Sequence, residues 1–228
     1  MAGQASNPVP AMTVHHPLEK PVVVVGPQFL TQYPIDLTIA NDFRVTDFNG
    51  TLIFSVKSKS MSIHDRRHLK DAAGNILVTL KEKIKTMHGR WQVFRGESTD
   101  EKYLLFSVKK SSLMRFRTQL DVFLASNTSE SAPNFKVKGS SIYLGDGESN
   151  VIVAEMFKRH TFKTASSDTD SFAVTVYPNV DYAFIVALVV ILDEINVDRS
   201  DKAVVVGAGV EAGVGAGVEA AVSSIISG

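Results

Sequence analysis

The chain has 228 residues, of which 44% are apolar, and its 24 Lys and Arg residues balance 24 Asp and Glu residues. That length and composition suit one sizeable hydrophobic core with room for tails. The chain has no cysteine, which excludes a disulfide framework, a cysteine-based zinc site and a thiol nucleophile. The first residues lack the basic start and apolar core of a secretory signal, so we expect a cytoplasmic or nuclear protein.

The charges are distributed unevenly along the sequence. Residues 57–120 contain 15 Lys and Arg residues against 6 Asp and Glu residues, whereas residues 121–228 contain 7 against 14. The middle of the chain is therefore basic and the C-terminal part acidic. A basic stretch favours an anionic partner, such as a membrane surface or an acidic protein.

The N-terminal part of the chain is read in three pieces. Residues 1–21 carry four prolines among small polar residues, which predicts a flexible tail. Residues 22–25 form a short β-branched run of valines that ends at Gly26 and Pro27. Residues 35–40 fit either a strand or a short turn of helix.

A β-hairpin is predicted for residues 43–56. Asn49 and Gly50 lie between two alternating apolar runs, and both residue types tolerate the positive φ of a type I′ turn.

The same alternation of apolar and polar residues recurs further along the chain and predicts ten to twelve strands in total. The further strands are expected at residues 76–81, 90–95, 103–109, 120–124, 135–138, 151–157 and 172–177.

Residues 178–196 predict one helix that is apolar on every face. The run Ala183 to Leu192 has no polar side, so such a helix must be surrounded by protein. A bilayer span needs about 20 apolar residues, whereas residues 180–195 are fewer and include Asp181, which favours a core helix over the alternative of a membrane span. Asn179 or Asp181 is expected to cap its start, and Asp193 with Glu194 to mark its return to water. The predicted core residues of the helix are Tyr182, Phe184, Ile185, Leu188, Val189, Ile191 and Leu192.

Strands with one apolar face and a helix with no polar face predict a barrel closed around the helix. A barrel of about twelve strands leaves a lumen that side chains alone do not fill, and a helix is about 10 Å wide. The fold class expected from the residues is therefore mostly β, with a C-terminal helix as the plug.

Three long segments, Leu80 to Gly96, Lys110 to Asn127 and Tyr177 to Asn196, resemble the plant LURP-one-related family. The resemblance covers residues 22–198 and implies a twelve-stranded antiparallel barrel around a central hydrophobic C-terminal helix. This architecture is similar to that of tubby C-terminal domains and phospholipid scramblases. Relatives are implicated in plant defence, and tubby domains bind phosphoinositides. The resemblance provides no catalytic residue.

Residues 199–228 depart from the family's usual short ending. They contain an eight-residue near-repeat, residues 207–214 followed by residues 215–222, that is rich in Gly, Ala and Val. Its glycines disfavour a helix, so we expect a disordered extension, with weak self-association as the alternative.

No motif indicates an enzyme or a cofactor. His64 and His68 stand four residues apart, but without a third metal ligand they are interpreted as solvated turn residues. Trp91 is expected to pack on the barrel. The sequence contains neither a nucleophile-elbow motif nor a P-loop, and it shows no DNA-recognition helix. We expect a monomeric binding protein without cofactor, metal or nucleic-acid partner.

Two functions remain for the basic middle of the chain. The first is non-enzymatic binding of a phosphoinositide-like membrane headgroup, in the cytoplasm or peripherally at the plasma membrane; the second is a scaffold that meets an acidic protein. A lipid transporter of the scramblase type is a weaker third. The alternative role for Lys81, Lys83 and Lys85 is solubility and protection of an unpaired sheet edge from aggregation. The headgroup candidates are Lys81, Lys83, Lys85, Lys109, Lys110, Arg115 and Arg117.

Overall fold

The structure is a computed structural model that describes residues 18–40, 42–58, 66–83, 89–111, 119–148, 151–159 and 171–196. These residues form twelve strands, two short 3₁₀ turns and one helix, α1, over residues 182–196. The 3₁₀ turns are Pro27–Phe29 and Glu101–Tyr103. The strands are β1 (Ile35–Ile39), β2 (Arg44–Thr46), β3 (Leu52–Ser58), β4 (Arg66–Asp71), β5 (Ile76–Lys83), β6 (Arg90–Arg95), β7 (Leu104–Lys110), β8 (Gln119–Leu124), β9 (Phe135–Lys138), β10 (Ser141–Leu144), β11 (Ile152–Arg159) and β12 (Ser171–Val176).

The strands close into one barrel. Each strand pairs antiparallel with the next along the chain, and β1 pairs antiparallel with β12. This confirms the expected fold class, a twelve-stranded antiparallel barrel with a C-terminal helix. A closed barrel has no free sheet edge.

Helix α1 fills the barrel. Its residues from Ala183 to Ile191 are all buried, and the rings of Phe106 and Phe135 on the strands each lie 5.0 Å from the ring of Phe184. Tyr182 and Leu192, at either end of this run, are partly buried against the same core. The prediction of a core helix is confirmed because every face of α1 has a strand to contact.

The two ends of the barrel are distinguished by the helix. We call the end where α1 begins the N-cap end, and the end where α1 finishes the exit end. Because β12 runs towards the N-cap end and its neighbours alternate in direction, the odd-numbered strands finish, and the even-numbered strands begin, at the exit end.

The carboxylate of Asp181 joins the start of α1 to the N-terminal segment. Its Oδ1 accepts a hydrogen bond from the Phe184 N–H at 3.1 Å, which confirms Asp181 as the helix N-cap. Its Oδ2 accepts from the N–H groups of Val24, Val25 and Gly26 at 3.1, 2.7 and 3.0 Å. One fully buried side chain therefore satisfies four backbone donors.

The N-terminal segment, which contains the β-branched run at residues 22–25, lies across the N-cap end. Val22 makes a single parallel bridge to Val180, and Arg95 donates to the Val25 carbonyl at 2.7 Å. The run does not form a strand, because three N–H groups of this segment bind a carboxylate instead of a neighbouring strand. Asn179 donates to the Leu18 carbonyl at 2.9 Å, so contacts with the barrel begin before residue 22.

The hairpin at residues 43–56 forms, but its turn differs from the prediction. Gly50 has a φ of 81°, whereas Asn49 has no positive φ, and the Asp47 N–H donates to the Thr51 carbonyl at 3.0 Å. This is a three-residue loop instead of a two-residue type I′ turn. Asp47 favours it because its Oδ1 accepts from the N–H groups of Asn49 and Thr51 at 2.9 and 2.8 Å.

Strand β4 has no counterpart among the predicted strands. The interpretation of His68 as a solvated turn residue is wrong, because His68 is buried on β4 with its Nδ1 3.0 Å from Thr79 Oγ1. Arg67 faces the barrel interior, and its Nη2 lies 2.5 Å from Glu194 Oε2 on α1. Glu194 is therefore held inside the exit end and does not mark a return to water. His64 lies outside the described residues.

Replacing Ala187 tests the surrounded helix. Ala187→Glu places a charge at a fully buried position without a partner, and an uncompensated buried charge costs about 3–5 kcal/mol. We expect a large loss of thermal stability or no folded protein. The matched control is Ala72→Glu in the exposed β4–β5 turn, which should melt like the wild type. A stable, cooperatively folded Ala187→Glu protein would contradict the enclosed helix.

Replacing Asp181 tests the junction at the N-cap end. Asp181→Asn keeps the shape but presents an amide N–H₂ to backbone donors, so at least one buried group loses its partner at a cost of about 1–3 kcal/mol. We expect the melting temperature to fall by roughly 4 °C or more, as measured by circular dichroism. Asp100→Asn, at an exposed carboxylate without a capping bond, should change it little. Equal melting of both variants would show that the carboxylate does not hold the junction.

Candidate anion-binding surface

Cations are concentrated where the strands meet the exit end of the barrel. Ten of the strand ends there have described side chains, and among these ten six are Lys or Arg and none is Asp or Glu. The six are Arg44, Arg66, Lys83, Arg90, Lys110 and Lys138. The strand ends at the N-cap end include one cation, Arg95, and one carboxylate, Asp71, over the described residues. The barrel therefore has one basic end.

Strand register extends this charge along the outer face. Lys83 on β5 lies directly opposite Arg90 on β6, and Arg66 on β4 lies directly opposite Lys81 on β5. Trp91 pairs with Val108, which places Arg90 beside Lys109 on β7. We call Arg66, Lys81, Lys83, Arg90 and Lys109 the outer basic surface.

The pairing within this surface works against folding stability. Directly opposed like charges on neighbouring strands destabilise a sheet, and two such pairs occur side by side here. The barrel has no free edge, so these lysines do not protect an edge from aggregation. These opposed cations make the outer basic surface the candidate site for an anionic partner.

The β8–β9 loop, residues 125–134, covers part of this outer face. Ser107 on β7 and Phe123 on β8 point outward, yet both are buried. Within the loop, the Asn127 amide donates to the Ala132 carbonyl at 2.8 Å, and its Oδ1 accepts from the Glu130 N–H at 3.1 Å. These bonds give the loop a defined shape over the barrel wall.

Glu130, in this loop, lies between two cations of the outer basic surface. One carboxylate oxygen binds Arg90 Nη2 and the other binds Lys109 Nζ. Burial raises the pKa of Glu130, but the hydrogen bonds from Lys109 and Arg90 outweigh this effect and hold the pKa below its ordinary value. The carboxylate is therefore ionised at neutral pH.

The two cations are themselves held by other contacts. Arg90 Nη2 also donates to Ser107 Oγ at 2.8 Å, and Lys109 Nζ lies 4.9 Å from the centre of the Phe123 ring. Lys109 is directly opposite Asp121, whose carboxylate lies 3.1 Å from Lys136 Nζ. Arg90 and Lys109 thus occupy fixed positions on the barrel wall.

The structure brings together some of the predicted headgroup residues and separates others. Lys81, Lys83 and Lys109 share the outer face. Lys110 follows Lys109 directly on β7, so its side chain leaves the strand on the opposite face, where its backbone is paired with buried Leu120. Lys85, Arg115 and Arg117 lie outside the described residues.

Sequence analysis missed Arg66 and Arg90 as members of the surface. Arg90 could have been found from the sequence: residues 90–95 are predicted as a strand, and placing the apolar Trp91 and Val93 inward turns Arg90 outward. Arg66 could not, because β4 itself carries too few apolar residues to be recognised.

A pocket of about 230 Å³ opens between the end of α1 and the strands β11 and β12. Met156, Phe172, Val189 and Leu192 line its wall, and Asp193 lies at its rim. An apolar pocket with a carboxylate does not suit an anion, so this pocket is not part of the candidate site.

No helix in the described ranges is long and apolar enough to cross a membrane. In this part of the chain, His, Asp and Glu side chains form no group of three or more that could hold a metal ion.

A closed barrel around a buried C-terminal helix, with a basic outer wall, defines a small class of β-barrel proteins. The model of the LURP-one-related family matches residues 32–193, and the chain belongs to this family. It is 49% identical over 193 residues to Protein LURP-one-related 15 of Arabidopsis thaliana, covering 79% of this chain and 88% of that protein. It is 44% identical to Protein LURP-one-related 10 of the same plant, covering 79% of this chain and 100% of that protein.

A solved structure shows the same fold. The X-ray structure of an Arabidopsis thaliana protein is 45% identical in sequence and matches with a TM-score of 0.61, covering 76% of this chain and 98% of that chain.

The pH dependence of folding stability in a Glu130→Gln variant tests the ion pairs that Glu130 makes with Arg90 and Lys109. A carboxyl group whose folded pKa lies below its ordinary value of 4.5 stabilises the fold above pH 4.5, and this stabilisation is lost as pH falls through the folded pKa. Glu130→Gln should therefore lower the free energy of unfolding by about 1 kcal/mol at pH 7, and this difference from wild type should vanish at strongly acidic pH. Urea unfolding across pH measures it. A difference that does not change with pH would contradict the cluster.

Proposed function

We propose that this protein is a non-enzymatic module that binds the anionic headgroups of membrane lipids, of the phosphoinositide kind, through its outer basic surface. The observation that carries the proposal is the concentration of cations at the exit end, where Arg66 lies opposite Lys81 and Lys83 lies opposite Arg90 in the strand register. An anionic headgroup supplies a counter-charge beside both pairs.

The arrangement of the charges suits a membrane surface. At the exit end, Lys83 ends β5, Arg90 begins β6 and Arg66 begins β4, and Lys81 lies close to the same end. An anionic leaflet meets them together if the exit end faces the membrane. Each basic residue near such a surface contributes about 1 kcal/mol, so four residues give reversible binding without an inserted chain.

Other features also favour an orientation in which the exit end of the barrel faces the membrane. Exposed carboxylates at Glu97, Asp100 and Glu101 lie in the β6–β7 connection at the N-cap end, so an anionic leaflet repels that end. The resemblance of LURP-one-related proteins to tubby domains, which bind phosphoinositides, agrees with this proposal. Peripheral attachment at the plasma membrane and a part in plant defence signalling are the expectations that go with it.

Charge reversal on β5 tests the proposal. We expect Lys81→Glu with Lys83→Glu to weaken binding to phosphatidylcholine vesicles containing a phosphoinositide at least about tenfold, because two contributions of about 1 kcal/mol are lost. Binding by the wild type should weaken with salt, since exposed charges are screened over about 10 Å at 0.1 M. Co-sedimentation at two salt concentrations measures both effects.

The matched control reverses the same number of charges at the other end. Lys20→Glu with Lys102→Glu changes two exposed lysines at the N-cap end and should leave binding nearly unchanged. Equal loss in both double variants would indicate attraction by net charge alone. If the wild type does not bind the vesicles, the lipid proposal is contradicted and a scaffold for an acidic protein is favoured.

A further inference from the structure

We infer that Glu130 is an internal stand-in for an anionic ligand: Arg90 and Lys109 form a site for a phosphomonoester group, and the Glu130 carboxylate occupies that site until such a group displaces it. This inference deepens the proposed function and rests on it for the membrane source of the ligand. The β8–β9 loop therefore carries a carboxylate that competes with the ligand for Arg90 and Lys109.

The geometry of the cluster is that of a bound anion. The two oxygens of one carboxylate are divided between a guanidinium and an ammonium group from neighbouring strands. Guanidinium and ammonium groups recognise phosphate and carboxylate alike, through charge-assisted hydrogen bonds. A phosphate oxygen can therefore take the place of each carboxylate oxygen.

The strands hold the cations in place independently of the loop. Arg90 is bonded to Ser107 Oγ on the adjacent strand, and Lys109 lies over the Phe123 ring. Both contacts are between residues of the barrel wall, and neither needs the loop. The site for an anion therefore persists when Glu130 leaves it.

The anion, in contrast, is supplied by a loop in a backbone conformation that is unfavourable for its residue. Glu130 has a φ of 49°, in the left-handed region that non-glycine residues seldom adopt. Its hold on the wall thus combines two favourable ion pairs with an unfavourable backbone conformation. An incoming anion therefore has to replace only the part of the ion-pair energy that exceeds the conformational cost of Glu130.

A phosphomonoester fits the surroundings better than a second carboxylate. It offers three oxygens and about two negative charges at neutral pH. Lys83 lies directly opposite Arg90 and extends the cationic site beyond the two partners of Glu130. A third basic residue therefore borders the site on the neighbouring strand.

The same chemistry can come from a lipid headgroup or from a free inositol phosphate. The test uses two probes: phosphatidylcholine vesicles that carry phosphatidylinositol 4,5-bisphosphate, and soluble inositol 1,4,5-trisphosphate measured by calorimetry. Three proteins are compared, the wild type, Glu130→Gln and the matched control Glu97→Gln, whose carboxylate is exposed at the N-cap end.

We expect Glu130→Gln to bind the vesicles about fivefold more tightly than the wild type, since one competing charge near the headgroup is removed. Glu97→Gln should bind like the wild type. Adding Lys109→Gln to Glu130→Gln should abolish the gain. A gain with the trisphosphate as well as the vesicles assigns the site to the phosphate group itself, and a gain with vesicles alone assigns it to the membrane-borne headgroup.

Equal binding of both probes by Glu130→Gln and Glu97→Gln would overturn the inference, because Glu130 would then be only a clamp for its loop. In that case the Lys81 and Lys83 double variant still reports on the proposed function separately. If no protein binds vesicles but Glu130→Gln binds the trisphosphate, the membrane proposal fails and the anion site stands.

A second measurement uses the wild-type protein and so does not depend on correct folding of Glu130→Gln. Titration of wild-type protein with the trisphosphate should shift the backbone amide signal of Glu130 in nuclear magnetic resonance spectra, because displacement changes its surroundings. A Glu130 signal that stays fixed while the wild type saturates with trisphosphate would also overturn the inference.

Discussion

The buried carboxylate of Asp181 is the contact on which the architecture depends. It caps the helix that fills the barrel and binds three successive N–H groups of the segment that covers the N-cap end. A fully buried carboxylate is tolerated only when its oxygens are satisfied, and here four backbone donors satisfy them. The core helix and the cover of the barrel are therefore positioned by one side chain.

Tyr182 extends this junction into the core. Its ring lies 5.5 Å from the Phe29 ring and 5.6 Å from the Phe54 ring. Burial, followed by the charge of Asp181, raises the pKa of the Tyr182 hydroxyl. Phe29 comes from the N-terminal segment and Phe54 from β3, so three parts of the chain far apart in sequence meet beside one carboxylate.

Most of the barrel could be predicted from the sequence because its strands have one apolar face. Residues 90–95 and 135–138 were predicted with the bounds that β6 and β9 have, since their alternation is uninterrupted. Strand β4 could not be predicted. Arg67 points inward because it forms an ion pair with Glu194 on α1, and His68 is buried outside the core beside Thr79. Partners this distant in sequence leave no local pattern.

The residues of the candidate site could likewise be predicted only where they depend on alternation within one strand. Outward positions for Lys81 and Lys83 follow from alternation along β5, but the opposition of Lys83 to Arg90 depends on register between strands. The role of Glu130 has no sequence signal at all, because it depends on how a loop of ten residues folds back over β7 and β8.

The position of the helix in the chain has a consequence for how the protein is made. Val24 and Asp181, which are hydrogen-bonded, are 157 positions apart, and β1 finds its second partner only when β12 has been synthesised. Such non-local contacts slow folding. During translation the apolar inner wall is complete before the helix that covers it exists, so a ribosome-bound chain exposes a surface prone to aggregation. A newly made chain can therefore bury this inner wall only after residues 182–196 have left the ribosome.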